Sequence, residues 1–142
     1  MVILKVLGGN LKNYQHKLEL QVRDYECDLQ GIVNNAVYQN YLEHARHQFL
    51  LSQGVDFVEL SKKGINLVVV RIEFDYKSPL RPDDRFWIGS SIERVSKIKF
   101  AFDQAIYRQD NQQLILQARV VGTAIDHAGR PCKERVLGQL IG

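Results

Sequence analysis

The chain has 142 residues, of which 19 are basic and 16 acidic, so its formal net charge is +3. This length predicts one domain over residues 1–142 with a core of ordinary size. The charge surplus is too small and too dispersed to indicate a nucleic-acid partner, although a phosphate-bearing ligand would be tolerated. The two cysteines, Cys27 and Cys132, can form neither a disulfide framework nor a structural zinc site, which favours a reducing, cytoplasmic location.

The first half of the chain predicts a strand followed by a long helix. Residues 1–7 are apolar but too short for a membrane span, so we expect a tail or an added edge strand and no membrane partner. Residues 17–23 alternate between apolar and polar side chains, which is typical of a half-buried strand. From residue 36 to residue 53 the apolar positions recur every three or four residues, as in an amphipathic helix that ends before Gly54. Residues 57–63 predict one or two further helical turns.

Four strands are predicted in the second half. Residues 67–76 begin with a nearly continuous apolar run, which favours a strand covered on both faces. Its alternate apolar residues would share one face: Val68, Val70, Ile72, Phe74 and Tyr76. Further strands are predicted at 85–95, 98–108 and 113–125, and their short polar connections indicate an antiparallel meander. We expect the last eleven residues to be frayed or packed at an edge. One strand, one long helix and four strands predict an α+β domain in which a strongly curved antiparallel sheet covers a single helix.

The segment between the first strand and the helix combines a carboxylate with a helix start. Asp28 lies three residues before Gly31, and Asn34 and Asn35 precede the helix. The first backbone N–H groups of a helix lack partners within the helix, so they stabilise negative charge. A base beside such an anion-stabilising pocket is a candidate catalytic site. The alternatives are that Asp28 is an ordinary loop or capping carboxylate, and that Asp24 takes its place, although Asp24 falls where the strand should end.

The segment from Asp28 to Tyr38, with Glu43 and Arg46 on the helix after it, resembles the hotdog-fold thioesterases of the 4-hydroxybenzoyl-CoA thioesterase type. Residues 74–84 are similar to that family's strand ending in a proline and an acidic turn. The resemblance implies a hotdog fold and hydrolysis of acyl-CoA, or of an acyl group on acyl carrier protein, without a metal or other cofactor. It also implies a homodimer or homotetramer with active sites at subunit interfaces.

The resemblance assigns roles to individual residues. Asp28 matches the catalytic carboxylate, and the Asn35 backbone N–H matches the oxyanion donor, with Asn34 adjoining it. Asn34 and Asn35 replace the aromatic or histidine residues often found there, a difference that bears on acyl preference. Gly31 would let the loop approach the substrate closely, because it carries no side chain.

Five further residues are candidates for substrate contact. Tyr38 could line the acyl site, although a core or interface aromatic is the alternative. Glu43 could take a direct part, or it could order Arg46 or polar backbone as a structural partner. Three basic residues near strand ends could hold coenzyme A phosphates, with a solvated charge as the alternative for each: Arg81, Lys97 and Lys99.

Thioester chemistry explains why so few groups would suffice. The thioester carbonyl is poorly stabilised by resonance and its thiolate leaves easily, so one carboxylate and one oxyanion pocket can open the bond. Asp28 could attack the carbonyl to give a mixed anhydride, or it could deprotonate a water molecule. The alternative substrates are acyl carrier protein thioesters and 1,4-dihydroxy-2-naphthoyl-CoA. The alternative functions are a hotdog dehydratase, which would need a histidine that this loop lacks, and a hotdog acyl-binding protein without turnover.

Overall fold

The computed structural model describes residues 13–132, so the expectations for residues 1–7 and for the chain beyond residue 132 lie outside the described part. The elements in chain order are strand β1 (His16–Gln21), a 3-10 turn (Asp24–Glu26), helix α1 (Asn35–Ser52), helix α2 (Phe57–Lys62), and strands β2 (Asn66–Tyr76), β3 (Arg85–Arg94), β4 (Lys99–Arg108) and β5 (Leu114–Ile125). The predicted elements are thus present, with bounds that differ by a few residues at most.

The five strands form one antiparallel sheet in the order β1-β3-β4-β5-β2. This confirms the predicted meander of β3, β4 and β5 and places β1 and β2 at the two edges. Gln21 pairs with Arg85, and Tyr76 pairs with Leu116, so these residues lie at one end of the sheet. We call this the helix-start end, because the loop that leads into α1 is bonded there. The β3–β4 hairpin lies at the opposite end, which we call the helix-finish end.

Helix α1 packs its apolar stripe on one face of the sheet. The buried side chains recur at the spacing that the sequence predicted: Tyr38, Tyr41, Leu42, Ala45 and Phe49. The first half of α1 packs in a cluster with Phe86, Ile88 and Leu116. The second half packs in another cluster with Phe102 and Val120. Burying this stripe removes apolar surface from water, which is the main driving force that holds the helix on the sheet.

Among residues 13–132, the prediction that β2 is covered on both faces is wrong. β2 is an edge strand, and Val69 and Val70 are about half exposed. A β-bulge between Val69 and Arg71 adds a residue to the strand and reverses its phase. As a result Ile72 and Phe74 pack in the core while Val70 does not, so the predicted common face of these residues is also wrong.

Candidate functional site

The loop that carries Asp28 is a tight turn closed by backbone hydrogen bonds. Cys27 and Val33 form an isolated antiparallel bridge. Within it, the Asp28 N–H donates to the Ile32 carbonyl at 2.9 Å, and the Gly31 N–H donates to the Asp28 carbonyl at 3.1 Å. Gly31 has φ +74°, a left-handed conformation that glycine adopts without strain. An aspartate at the first position and a glycine at the fourth are the residues that such a turn favours.

The Asp28 carboxylate is exposed and only partly bonded. Its Oδ1 accepts a hydrogen bond of 2.9 Å from the Gln30 N–H, the local bond that an aspartate makes at the start of a turn. No other group among residues 13–132 bonds to this carboxylate. Asp28 does not line either of the two cavities described below. In the described part of the chain it therefore faces solvent, and its second oxygen accepts no hydrogen bond.

The start of α1 has a backbone N–H without an acceptor in the described part of the chain. The Asn34 side chain caps the helix, since its Oδ1 accepts from the Ala36 N–H at 3.0 Å. The Val37 N–H donates to the Asn34 carbonyl at 2.9 Å. The Asn35 N–H has no acceptor among the residues that the structure describes. An uncommitted donor at the positive end of an 18-residue helix can bind an anionic oxygen.

Two further hydrogen bonds hold the turn against the core. The Val33 N–H donates to the Leu80 carbonyl at 2.9 Å, and the Leu80 N–H donates to the Tyr38 hydroxyl oxygen at 3.0 Å. The Tyr38 side chain is 3% exposed, and burial raises the pKa of its hydroxyl. Arg108 supports the same segment from the sheet, because its Nη2 donates to the Pro79 carbonyl at 2.8 Å. Tyr38 is thus a core residue that fixes the loop, the alternative considered from the sequence.

The three basic candidates do not come together in one chain. Arg81 is exposed at the helix-start end, where its N–H donates to Asp84 Oδ2 at 2.9 Å. Lys97 and Lys99 are exposed at the helix-finish end. The ten residues of β3 separate the two ends, a distance of about 30 Å at the usual rise of a strand. One chain therefore does not present all three to a single phosphate.

Glu43 and Arg46 lie one turn apart on α1 but are not paired. Glu43 is exposed, and its Oε1 lies 4.0 Å from His47 Nε2. The Arg46 guanidinium is buried and instead donates to Gln104 Oε1 at 3.1 Å. The two side chains form no ion pair, although the Glu43 charge acts on the Arg46 guanidinium and opposes the fall in its pKa that burial causes.

The sequence interpretation missed Glu26. Its Oε1 accepts from the Arg23 N–H at 2.7 Å and from the Tyr41 hydroxyl at 2.8 Å. Burial and the bond to Glu26 raise the pKa of Tyr41 well above its usual value. The three-residue spacing of Arg23 and Glu26 is the available sequence signal, because it is the spacing of a helix-capping box. Glu26, Asp24 and Tyr41 line a cleft of about 890 Å³ beside β1.

Residues 13–132 contain no group of three or more histidine, cysteine or acidic side chains arranged to hold a metal ion. None of the helices in this part of the chain is both long and apolar enough to cross a membrane.

Comparison with known proteins identifies the class to which this fold and loop belong. Residues 22–139 match the Thioesterase-like superfamily, and the chain belongs to it. The fold is the hotdog type, with a five-stranded antiparallel sheet and one long helix, as the resemblance implied. The matched range includes the Asp28 turn and the whole of α1.

Particular relatives have more specific names. The chain is 39% identical over 126 residues to the acyl-acyl carrier protein thioesterase ATL3, chloroplastic, of Arabidopsis thaliana, a match that covers 89% of this chain and 66% of that protein. It is 29% identical over 108 residues to the long-chain acyl-CoA thioesterase FadM of Escherichia coli, covering 76% of this chain and 81% of that one. A crystal structure of a 1,4-dihydroxy-2-naphthoyl-CoA thioesterase from Synechocystis has the same fold, with a TM-score of 0.78, 21% identity, and coverage of 82% of this chain and 87% of that chain.

Proposed function

We propose that this chain is a thioester hydrolase of the 4-hydroxybenzoyl-CoA thioesterase type, which converts an acyl thioester to the free acid and a thiol. The observation that carries the proposal is the Asn35 N–H at the start of α1, which has no acceptor among residues 13–132 and lies on the segment that follows the Asp28 turn. The superfamily match and the names of the relatives support it. Asp28 and Asn35, with Asn34 as the cap, are the proposed catalytic groups.

The proposed reaction needs one base and one oxyanion donor. The Asp28 carboxylate takes a proton from water as the water oxygen attacks the thioester carbonyl carbon. The carbonyl oxygen becomes an oxyanion and accepts a hydrogen bond from the Asn35 N–H, where the helix dipole adds to the stabilisation. The intermediate then collapses, the carbon–sulfur bond breaks, and the thiolate receives the proton from Asp28. A direct attack by Asp28 to give a mixed anhydride, which water then hydrolyses, uses the same groups.

We propose that the site is completed by a homodimer, formed when the exposed β2 edges of two copies pair, and such dimers could pair again as a tetramer. β2 has eleven residues, against six in β1, and its edge exposes Val69 and Val70. Antiparallel pairing of two β2 strands would place the helix-start end of one copy against the helix-finish end of the other. Asp28 would then lie in a cleft between copies instead of in open solvent.

The same dimer supports the substrate-contacting assignments. Arg81 of one copy would approach Lys97 and Lys99 of the other, so the three could hold phosphates that a single chain cannot bring together. Gly31 would lie next to the acyl group and Glu43 at the rim of the cleft, while Tyr38 would act through the loop that it fixes. The named residues are therefore proposed to serve one composite site.

The carrier of the acyl group is coenzyme A or acyl carrier protein. The name of the E. coli relative supports the first and that of the Arabidopsis relative the second. We favour acyl-CoA, because coenzyme A phosphates suit the basic residues of the composite site. Hydrolysis of 1,4-dihydroxy-2-naphthoyl-CoA is the aromatic alternative. A cytoplasmic location is part of the proposal and rests on two cysteines that are both free thiols.

Asp28→Asn tests the function directly. Asparagine keeps an oxygen for the Gln30 N–H, so the turn should persist while the base is lost. We expect thiol release from acyl-CoA and acyl carrier protein thioesters to fall about 10²- to 10⁴-fold, the usual contribution of a positioned base. Asp24→Asn is the matched control: Asp24 is exposed four residues away, and its variant should keep the native rate.

Two results would count against the proposal. A native rate in Asp28→Asn would remove Asp28 from the mechanism. Saturable binding of acyl thioesters with no turnover by the native protein would favour the non-catalytic acyl-binding alternative.

A further inference from the structure

A polar layer crosses the core between the two apolar clusters. The Arg46 side chain is 6% exposed, and its Nη1 donates to Gln104 Oε1 at 3.1 Å. Gln104 Nε2 donates to the Leu42 carbonyl at 3.1 Å and to Ser90 Oγ at 3.0 Å. Both amide hydrogens of Gln104 are therefore engaged, which turns its oxygen towards Arg46 and fixes the guanidinium in place.

The positive charge of Arg46 has no carboxylate in direct contact among the described residues, although the charge of Glu43 acts on it from the rim of the same cavity. No carboxylate among residues 13–132 forms an ion pair with it, and one neutral amide oxygen satisfies only one of its five N–H groups. His16 Nδ1 is the only buried side-chain polar atom of this range that is both sealed from solvent and unbonded. The remaining Arg46 N–H groups thus reach open space. A buried cation is costly unless an acceptor completes its bonding.

The open space is a cavity of about 220 Å³ between the second half of α1 and the sheet. Its walls are mostly apolar, with Leu50, Phe57, Phe100, Phe102, Val120 and Gly122 among the lining residues. Glu43 and His47 also line it, and both are about half exposed at its rim. The volume lies below the roughly 300–1,000 Å³ of sites for whole drug-sized ligands, so it suits one part of a larger substrate.

We propose that this cavity receives an acyl group that carries an oxygen acceptor beyond the thioester carbon, and that Arg46 binds this oxygen. The inference rests on the proposed thioesterase function and makes Arg46 a specificity-determining residue. The apolar walls take the hydrocarbon part of the acyl group and exclude water, which strengthens the bond from the guanidinium. The oxygen belongs to a keto, hydroxyl or carboxylate group, and a carboxylate would also experience repulsion from Glu43.

The helix sets where that oxygen lies relative to the reacting carbonyl. Arg46 follows Asn35 by eleven residues on α1, which is about 16 Å along the axis. An oxygen at the far end of an extended chain fits reaction at the helix start of the same copy. An oxygen close to the thioester fits reaction at the helix start of a second copy, brought near by β2 pairing.

Matched thioesters separate these cases. Octanoyl-CoA, 3-oxooctanoyl-CoA and the monothioester of octanedioic acid with coenzyme A share a chain length and differ in oxygen position. In Arg46→Met we expect kcat/KM for one or both oxygenated substrates to fall about 10- to 100-fold relative to octanoyl-CoA, the loss of one charge-assisted hydrogen bond. The ratio cancels any general loss of folded enzyme. Arg130→Met, at an exposed arginine, should leave the ratio native.

A binding experiment needs no turnover and keeps the two proposals distinguishable. Acetophenone and ethylbenzene differ only by a carbonyl in place of a methylene, and calorimetry can compare them in the native protein and in Arg46→Met. We expect the substitution to weaken acetophenone, or benzoate as the anionic probe, at least tenfold more than ethylbenzene. If Arg46→Met does not fold, Arg46→Lys and the side-chain ¹⁵N resonance of Arg46 in the native protein give the same comparison. Equal effects on all probes and all thioesters would overturn the inference, even if thioesters are hydrolysed.

Discussion

The Asn34 cap allows the stability of the helix and the proposed catalysis to be tested separately. Asn34→Ala removes the acceptor of the Ala36 N–H, and loss of such a cap costs about 1 kcal/mol. For a chain of 142 residues this lowers Tm by about 3 °C. The substitution also frees the first turn of α1, so the Asn35 N–H loses its fixed direction. We expect kcat to fall roughly 10- to 100-fold, since a small misplacement of a catalytic group has effects of this size.

Two companion variants identify the cause of that loss. Asp56→Ala removes the cap of α2, where Asp56 Oδ1 accepts from the Val58 and Glu59 N–H groups; it should lower Tm similarly while keeping kcat native. Asn34→Asp keeps the cap, because Asn and Asp are equally good at this position. It places a negative charge beside the proposed oxyanion, so we expect near-native Tm and a kcat at least about tenfold lower. A kcat that simply follows Tm across all three variants would refute the assignment of the α1 start as the oxyanion site.

Three further predictions concern stability and assembly. Burial lowers the pKa of His16, so the unfolded chain takes up a proton on this imidazole at a higher pH than the native chain does. The free energy of unfolding should therefore be greatest above about pH 6.5 and should decrease as the pH falls towards the folded-state pKa. In His16→Phe, Tm should change less between pH 7.5 and 5.5 than in the native protein. Val70→Lys charges the β2 edge, so we expect sedimentation to show a dimer dissociation constant at least about tenfold higher, and a native constant in this variant would contradict β2 pairing. Gln21→Lys, at an exposed position on β1 at the other edge of the sheet, is the control. Gly89→Ala would push a methyl group into the Tyr14 ring, costing about 1–3 kcal/mol by overpacking, and the same substitution should lower Tm less in a Tyr14→Ala background than in the native chain.

Local sequence patterns predicted the elements because each one buries a regular face. The helix expected from residue 36 to residue 53 is Asn35–Ser52 in the structure, since its apolar spacing and its Asn34 cap favour the same start. β2 shows where the pattern fails. A continuous apolar run does not show whether the same chain or another copy covers the strand. The bulge at Val70 also cannot be recognised from the two-residue alternation of apolar side chains.

The candidate site also has features that local sequence predicts and features that it does not. The turn around Gly31 follows from local turn preferences, so the sequence could place Asp28 in a turn that precedes α1 in the chain. The partners of Arg46 and Tyr38 are distant in sequence: Gln104 is 58 residues from Arg46, and Leu80 is 42 residues from Tyr38. No local pattern encodes such pairs, and the distance of Lys97 from the Asp28 turn became visible only once the strand order was known.

The polar layer of Arg46, Gln104 and Ser90 also fixes how far along the sheet α1 lies. Apolar side chains make contacts of similar energy after a small displacement of the helix. The hydrogen bonds of the polar layer require particular donor and acceptor atoms, so the same displacement breaks them. Sliding α1 by one turn, about 5.4 Å, would strand a guanidinium and an amide without partners in the protein interior. The polar layer therefore fixes the axial position of α1 on the sheet. It thereby sets the position of the Asn35 N–H, which lies three helical turns from these hydrogen bonds.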